Sequence, residues 1–303
     1  AIILIRTPNR EDAFSPLVHP DANGGVYAMP DLATERGARV YAFVLRQLAE
    51  RYRNHERSPG EITNWIVHNE IDFHTQWTNM GSQPRECVTE TYYRSLRMTH
   101  DIAKQYNPHA RVFASTTHHW NVPDDGKWQR LSPRELLLDL QRYCRMEGDF
   151  DWGVAFHPYP QSLFASVAWN DSKPTDDLNT PMITIQNLQV LGRFLQQPSM
   201  HGHHGTTRPV LLSEQGFHTD GYSDQMQANQ AADPFADPAW WKNFVGFWMV
   251  SGEWMNLTES REFVARRSSV RDLDLLWLGI VVTVLTFLIY AMRRYCGRNG
   301  DSA

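Results

Sequence analysis

Cysteine is scarce in this chain. There are three in 303 residues, Cys87, Cys144 and Cys296. Their spacing excludes a disulfide framework and contains no zinc pattern; one Cys87–Cys144 bridge is open, but nothing requires it. No Gly-rich phosphate loop follows any strand-like segment, which argues against nucleotide binding, and no cofactor or metal is implied. The net charge is −5, with no basic stripe before residue 260, so nucleic acid is not an expected partner. The opening residues also do not read as a leader. Ala1-Ile-Ile-Leu-Ile-Arg6 is already a buried-strand pattern, too short for a signal-peptide core and without a basic n-region. The expectation is a fragment whose upstream part is missing.

What the chain does have is aromatic surface, with 11 Trp and 11 Tyr. Aromatic rings of this kind either pack a core or stack on the apolar faces of sugar rings. It also has one long uncharged run, Leu275 to Met292. Eighteen residues at about 1.5 Å each just cross a hydrocarbon layer. Trp277 and Tyr290 stand near the ends of the run, as interface anchors do. Arg293, Arg294 and Arg298 follow it. Arg266, Arg267 and Arg271 precede it, with Asp272 and Asp274 between, so the charge bias only slightly favours a cytoplasmic C-terminus. The expectation is a transmembrane helix over 275–292 with a basic tail, 293–303, and the rest of the chain extracytoplasmic. A buried core helix is the alternative.

From 1 to 232, short apolar runs alternate with amphipathic stretches. Strands are expected at Ala1–Arg6, Asn64–Asn69, Ala110–Thr117, Asp151–Phe156 and Val210–Ser213. Helices are expected at Pro30–Arg53, Thr89–Tyr106, Pro133–Met146 and Thr180–Leu195. Strands that are apolar on both faces imply a parallel sheet covered by helices, an α/β fold that is either a barrel or an open doubly wound sheet. The long loops follow strands (7–29, 71–88, 118–132, 157–179, 215–223), and the returns from helix to strand are mostly short. This asymmetry suits a (β/α)8 barrel, whose active face is made of the loops after strands. Beyond Asp233-Pro-Phe-Ala-Asp-Pro238 the pattern gives way to an aromatic-rich, charged linker over 233–274, where Phe244–Val250 is the only strand candidate.

Two glutamates end strand-like segments: Glu70 in Ile62-Thr-Asn-Trp-Ile-Val-His-Asn-Glu-Ile-Asp72, and Glu214 in Pro209-Val-Leu-Leu-Ser-Glu-Gln-Gly-Phe217. Carboxylates on two strands of one sheet can flank a glycosidic bond, one as acid/base and the other as nucleophile. Trp-Ile-Val-His-Asn-Glu resembles the Asn-Glu strand end of clan-A glycoside hydrolases, which are (β/α)8 enzymes. Val-Leu-Leu-Ser-Glu-Gln-Gly-Phe is similar to their seventh strand and Val-Ala-Phe-His-Pro-Tyr-Pro to their sixth. The flavour is that of a poorly characterised bacterial cellulase-like family. The resemblance covers roughly 1–232 and implies that Ala1–Arg6 is the third strand, that the first two are absent and that the last is unclear. It implies Glu70 as acid/base, Glu214 as nucleophile, and Asn69 as a ligand of the sugar 2-hydroxyl.

Other candidates follow from position. His157 and Tyr159 share one strand phase, so they point to one side, and Tyr159 can donate to Glu214. His118, His119 and Trp120 end the fifth strand of that register, with Trp120 suited to sugar stacking. Arg6 ends the first visible strand and can reach the site or form a structural ion pair. His201, His203 and His204 lie in a Gly-flanked loop on the opposite face; a solvated loop is the default there and a metal the alternative. The expected activity is retaining hydrolysis of an oligo- or polysaccharide. Two alternatives stand beside it. One is a non-catalytic carbohydrate-binding or adhesion protein on a degenerate barrel. The other is a metal-dependent hydrolase using His118, His119 and His157.

Overall fold

The computed structural model describes residues 1–6, 16–53, 60–121, 130–163, 168, 170–216, 244–248 and 254–255. Seven strands form one sheet in chain order: β1 (Ile2–Ile3), β2 (Asn64–Val67), β3 (Arg111–Thr116), β4 (Trp152–Phe156), β5 (Val210–Leu212), β6 (Phe244–Trp248) and β7 (Trp254–Met255). Neighbours from β1 to β6 are parallel; only β7 runs antiparallel, against β6. The fold is therefore α/β, and among the described residues the strand order does not reverse, so they contain no switch point of the doubly wound kind. The sheet continues into the stretch expected as linker, where Phe244–Trp248 takes its place beside β5.

Alternation along the strands explains the two layers of core. Trp65, Val67, Val112, Ala114, Trp152, Val154, Phe156, Val210 and Leu212 belong to the large cluster that the helices cover. Ile66, Phe113, Ala155 and Leu211, the residues of opposite phase, form a small second cluster on the other face. Gly153 pairs with Phe113 on that inner face. A Cβ there would lie 2.8 Å from the Phe113 ring and 2.5 Å from the Pro209 carbonyl. Glycine is what leaves room for the ring against β4.

The covering helices are α1 (Glu35–Arg51), α3 (Arg85–Tyr106), α4 (Pro133–Glu147) and α5 (Gln189–Leu195), with a short α2 (His74–Trp77) in the loop after β2. The α1 stripe Gly37, Tyr41, Leu45 and Ala49 is buried at four-residue spacing. The helix begins after Thr34 rather than at Pro30. The Asp31 carboxylate accepts from the Ala33 and Thr34 amides and from the Thr34 hydroxyl, while Thr34 accepts from the Gly37 amide. That is a turn and a cap, which only then releases the chain into helix. The expected helix over Thr180–Leu195 is shorter for a similar reason. Asn187 Nδ2 donates to the Thr175 and Met182 carbonyls, and Thr184 and Asn187 close a capping box, so 180–184 is not helical.

Cys87 and Cys144 are both free thiols. Cys144 is buried and its Sγ receives the Trp152 indole N–H at 3.2 Å. The 275–292 span, the 293–303 tail and Cys296 lie outside the described residues. Among the described residues no helix is long and apolar enough to cross a membrane.

Candidate active site

The C-terminal ends of β2, β4 and β5 bring Glu70, His157 and Glu214 together. The end of β2 is not a simple strand end. His68 and Glu70 both have left-handed backbone, with φ of 62° and 35°, a region that non-glycine residues seldom enter. Without that twist His68 would follow Ile66 to the inner face. Instead its ring turns under the helices, where Nε2 meets Ser95 Oγ at 2.8 Å and Nδ1 meets the Ile3 carbonyl at 3.2 Å. It lies between Tyr41 and Tyr92, with ring centroids 6.2 and 6.1 Å away. Burial depresses this imidazole to about 4, so it is neutral at neutral pH. The second left-handed residue then swings Glu70 back over the inner face.

There Glu70 meets β3 and β4. Its amide donates to Ser115 Oγ at 3.1 Å, and its carboxylate accepts from His157 Nδ1 at 2.9 Å. His157 is fully buried, and its Nε2 lies 3.5 Å from Ser115 Oγ. Its Nδ1 is also 3.6 Å from Glu214 Oε2, so one imidazole stands between the two carboxylates. Burial alone would lower His157. The hydrogen bond to Glu70 and the charges of Glu70, Glu214 and Asp72 more than offset it, and the imidazole is held above its ordinary value. Tyr159 donates its hydroxyl to Glu214 Oε2 at 3.4 Å. Burial, then the charges of Glu214 and Glu70, push the phenol up, so it keeps its proton.

One ligand atom from each of Glu70, His157 and Glu214 lies within 4.8 Å of the others, a spacing that a metal ion would also accept. His118, His119 and His157, the expected alternative metal set, form no such group among the described residues. His118 and His119 instead pack ring on ring at 4.2 Å, with Tyr159 6.4 Å from His118. Burial first, then His119, Arg130 and His157, lower His118 to about 3.

Two expected site residues are placed elsewhere. Trp120 is wholly buried, edge-on to Phe194 at 4.9 Å, with its indole N–H donating to the Leu178 carbonyl at 3.0 Å. It is a core residue and offers no face to a sugar; its large apolar area is what draws it under the 178–194 segment. Arg6 is exposed and pairs through its backbone with Tyr27. No hydrogen bond or ion pair joins it to either glutamate among the described residues. Asn69 stands beside Glu70 as expected, and it is buried.

Sequence reasoning missed Asp72, Thr117 and Ser115. Asp72 is fully buried and accepts from the Thr117 amide at 2.9 Å and the Thr117 hydroxyl at 2.5 Å. Burial, with the charge of Glu70, pushes this carboxyl up to about 7, against those two hydrogen bonds. It ties the loop after β2 to the end of β3. The available signal was three hydroxyls in a row, Ser115-Thr-Thr117, closing an otherwise apolar strand. Several buried polar atoms around the pair find no hydrogen-bond partner among the described residues: Asn69 Oδ1, His118 Nδ1, Ser213 Oγ and both amide atoms of Gln215. Buried polar groups are almost always paired, so each exception calls for an explanation.

Among solved structures the chain is similar to a glucosidase from Croceicoccus marinus, at 13% identity and a TM-score of 0.39, covering 64% of this chain and 34% of that one. It is similar to the GH39 enzyme from Xanthomonas axonopodis pv. citri at 16% identity and a TM-score of 0.43, covering 73% and 38%. It is also similar to a family 39 glycoside hydrolase from the gut symbiont Bacteroides cellulosilyticus WH2 at 15% identity and a TM-score of 0.43, covering 76% and 40%. The matched part thus spans well under half the length of each of these proteins. Comparison with the curated proteins finds no match. The model of a family of unknown function, DUF5722, matches residues 1–235, and the chain belongs to that family.

Proposed function

We propose that this chain carries the site of a retaining glycoside hydrolase acting on an oligo- or polysaccharide, on six consecutive strands of a (β/α)8 barrel. The observation that carries the proposal is the convergence of Glu70 and Glu214 from β2 and β5 on His157, with carboxylate oxygens within 4.8 Å of one another. An inverting pair must hold a water between its carboxyls and stands about 6.5–9.5 Å apart; a retaining pair stands about 5–5.5 Å apart. In this reading β1 to β6 are strands three to eight of the barrel.

The two carboxylates have unlike surroundings, as unlike roles require. Glu214 is the more exposed, with 32% of its side chain accessible against 14% for Glu70. It accepts from the Tyr159 hydroxyl, which orients it to attack the anomeric carbon. The attack forms a glycosyl ester on Glu214 as the bond to the leaving oxygen breaks. Glu70 gives that oxygen its proton, then takes one from the water that hydrolyses the ester. His157 Nδ1 donates to Glu70, so it can hold the carboxylate in place for both steps. We also propose that 275–292 anchors the chain in a membrane with the site outside; its support is the uncharged, aromatic-flanked run.

The test is a panel of aryl glycosides. Glu214→Ala should abolish turnover of all of them, because every substrate needs the nucleophile. Glu70→Ala should spare those with good leaving groups and slow the rest by roughly 10²–10⁴-fold. If both variants hydrolyse activated aryl glycosides like the wild type, the pair is not catalytic. If sugar binding then survives without turnover in the wild type, the chain is a carbohydrate binder.

A further inference from the structure

A second cluster lies at the opposite ends of the strands. Asp151 directly precedes β4, whereas His157 directly follows it. At about 3.3 Å per residue the two are roughly 20 Å apart. Beside Asp151 stand His203 and His204, adjacent in Met200-His-Gly-His-His-Gly205. One ligand atom from each of the three lies within 4.8 Å of the others, and all three residues are exposed.

We propose that Asp151, His203 and His204 form a binding site for a borderline transition-metal cation, Zn2+ above all, that pins the α5–β5 loop to the start of β4. Three observations support it. First, the His203 Nδ1 to Asp151 Oδ1 distance is 3.7 Å. That is too long for a hydrogen bond. It is close to the edge of a tetrahedron built on metal–ligand bonds of about 2.0–2.1 Å, which is about 3.3 Å. A shift of a few tenths of an ångström brings this pair onto that edge. Second, the two imidazoles are already brought together, with ring centroids 3.6 Å apart. The turn that presents them is closed by Gly205 N to Gly202 O at 2.8 Å and Gly202 N to Thr206 O at 2.9 Å. Its last residue, Gly205, has φ of 68°, a conformation that favours glycine.

Third, the backbone on both sides is anchored by buried groups, so the segments that carry the ligands are placed before a metal arrives. Arg208, 2% exposed, joins the loop base to Asp149 with two contacts of 2.8 Å, two residues before Asp151. Gln141 Nε2 holds the His201 carbonyl at 3.1 Å. Pre-positioned ligands lower the ordering cost of binding. Two imidazoles and one carboxylate suit Zn2+, Ni2+ or Cu2+; Mg2+ and Ca2+ want oxygen ligands and are poorly served. Three protein ligands on an exposed face leave the remaining positions to water. The site lies on the face away from Glu70 and Glu214, so its expected effect is on stability and not on turnover.

The test is titration of the full, untagged chain with Zn2+ alone, by calorimetry, with thermal melts alongside. One Zn2+ should bind per chain and raise the melting temperature. Asp151→Asn and the double variant His203→Ala/His204→Ala should each weaken binding at least tenfold and lose the thermal gain. All three side chains are exposed, so these variants should melt like the wild type when no metal is added. Glu70→Gln/Glu214→Gln should bind Zn2+ as the wild type does. Undiminished binding by the double histidine variant would overturn the proposal. So would loss of binding in the glutamate variant, which would put the ion at the other cluster, or displacement of Zn2+ by an equal concentration of Mg2+.

Discussion

His68 is the place where a stability measurement can test how the active-site backbone is held. The perturbation is His68→Asn. Asparagine tolerates left-handed backbone, so the turn that delivers Glu70 remains accessible. It cannot take up a proton in acid. In the folded chain burial depresses the imidazole from 6.5 to about 4. The unfolded chain therefore binds this proton more readily than the folded one. The neutral, buried ring stabilises the fold above the unfolded value of 6.5, and that contribution is lost as the pH falls toward about 4. The gap corresponds to roughly 3 kcal/mol in all, of which about 2 kcal/mol is gone by pH 5. At pH 7.5 the variant should be less stable by about 2–3 kcal/mol, from the bonds to Ser95 and Ile3 and the packing between Tyr41 and Tyr92. Between pH 7.5 and pH 5 that deficit should shrink by about 2 kcal/mol, because only the wild type carries the acid penalty. Urea unfolding of both proteins at the two pH values measures it. His118, Asp72 and His157 titrate in both proteins and largely cancel in the difference. A deficit that stays constant with pH would refute the account of His68 as a buried neutral imidazole.

Three further perturbations test particular contacts. Trp120→Ala should cost about 3–5 kcal/mol in chemical denaturation, whereas Trp120→Phe should leave KM for any glycoside unchanged; a raised KM in a stable Trp120→Phe protein would restore the stacking role. Tyr159→Phe should lower kcat roughly ten- to a hundredfold, the worth of a hydrogen bond to a charged group, with the fold intact by circular dichroism; unchanged kcat would remove Tyr159 from the reaction. Gly153→Val should destabilise the chain by more than about 2 kcal/mol, because its first carbon already collides with the Phe113 ring and the Pro209 carbonyl; a Gly153→Val protein with a wild-type melting temperature would show that the inner face yields more than its packing implies.

Strand identity was legible because it rests on local composition. Trp65-Ile-Val67, Val112-Phe-Ala114 and Val210-Leu-Leu212 are apolar on both faces, and only a covered parallel strand buries both. The placement of Glu70 and Glu214 at strand ends followed from the same runs, and so did the shared phase of His157 and Tyr159. What could not be read was set by contacts distant in the chain. Trp120 looks like a stacking platform until Phe194 and Leu178, far along the sequence, close over it. Thr180–Leu195 carries helical periodicity, but the side chain of Asn187 claims backbone carbonyls at Thr175 and Met182. The end of β2 is the sharpest case. Residues 64–69 read as one straight strand, and nothing in them announces left-handed backbone at His68 and Glu70. Straight continuation would send His68 into the cleft and turn Glu70 on the same phase, with Asn69 toward the helices. The observed twist instead puts the imidazole under α1 and α3, where Ser95, Ile3, Tyr41 and Tyr92 hold it. Strained backbone of this kind costs on the order of 1–3 kcal/mol per residue and persists only where surrounding contacts over-determine it. The buried His68 contacts are the compensation. The backbone that leads to Glu70 is thus held by a residue with no hydrogen bond to either carboxylate among the described residues.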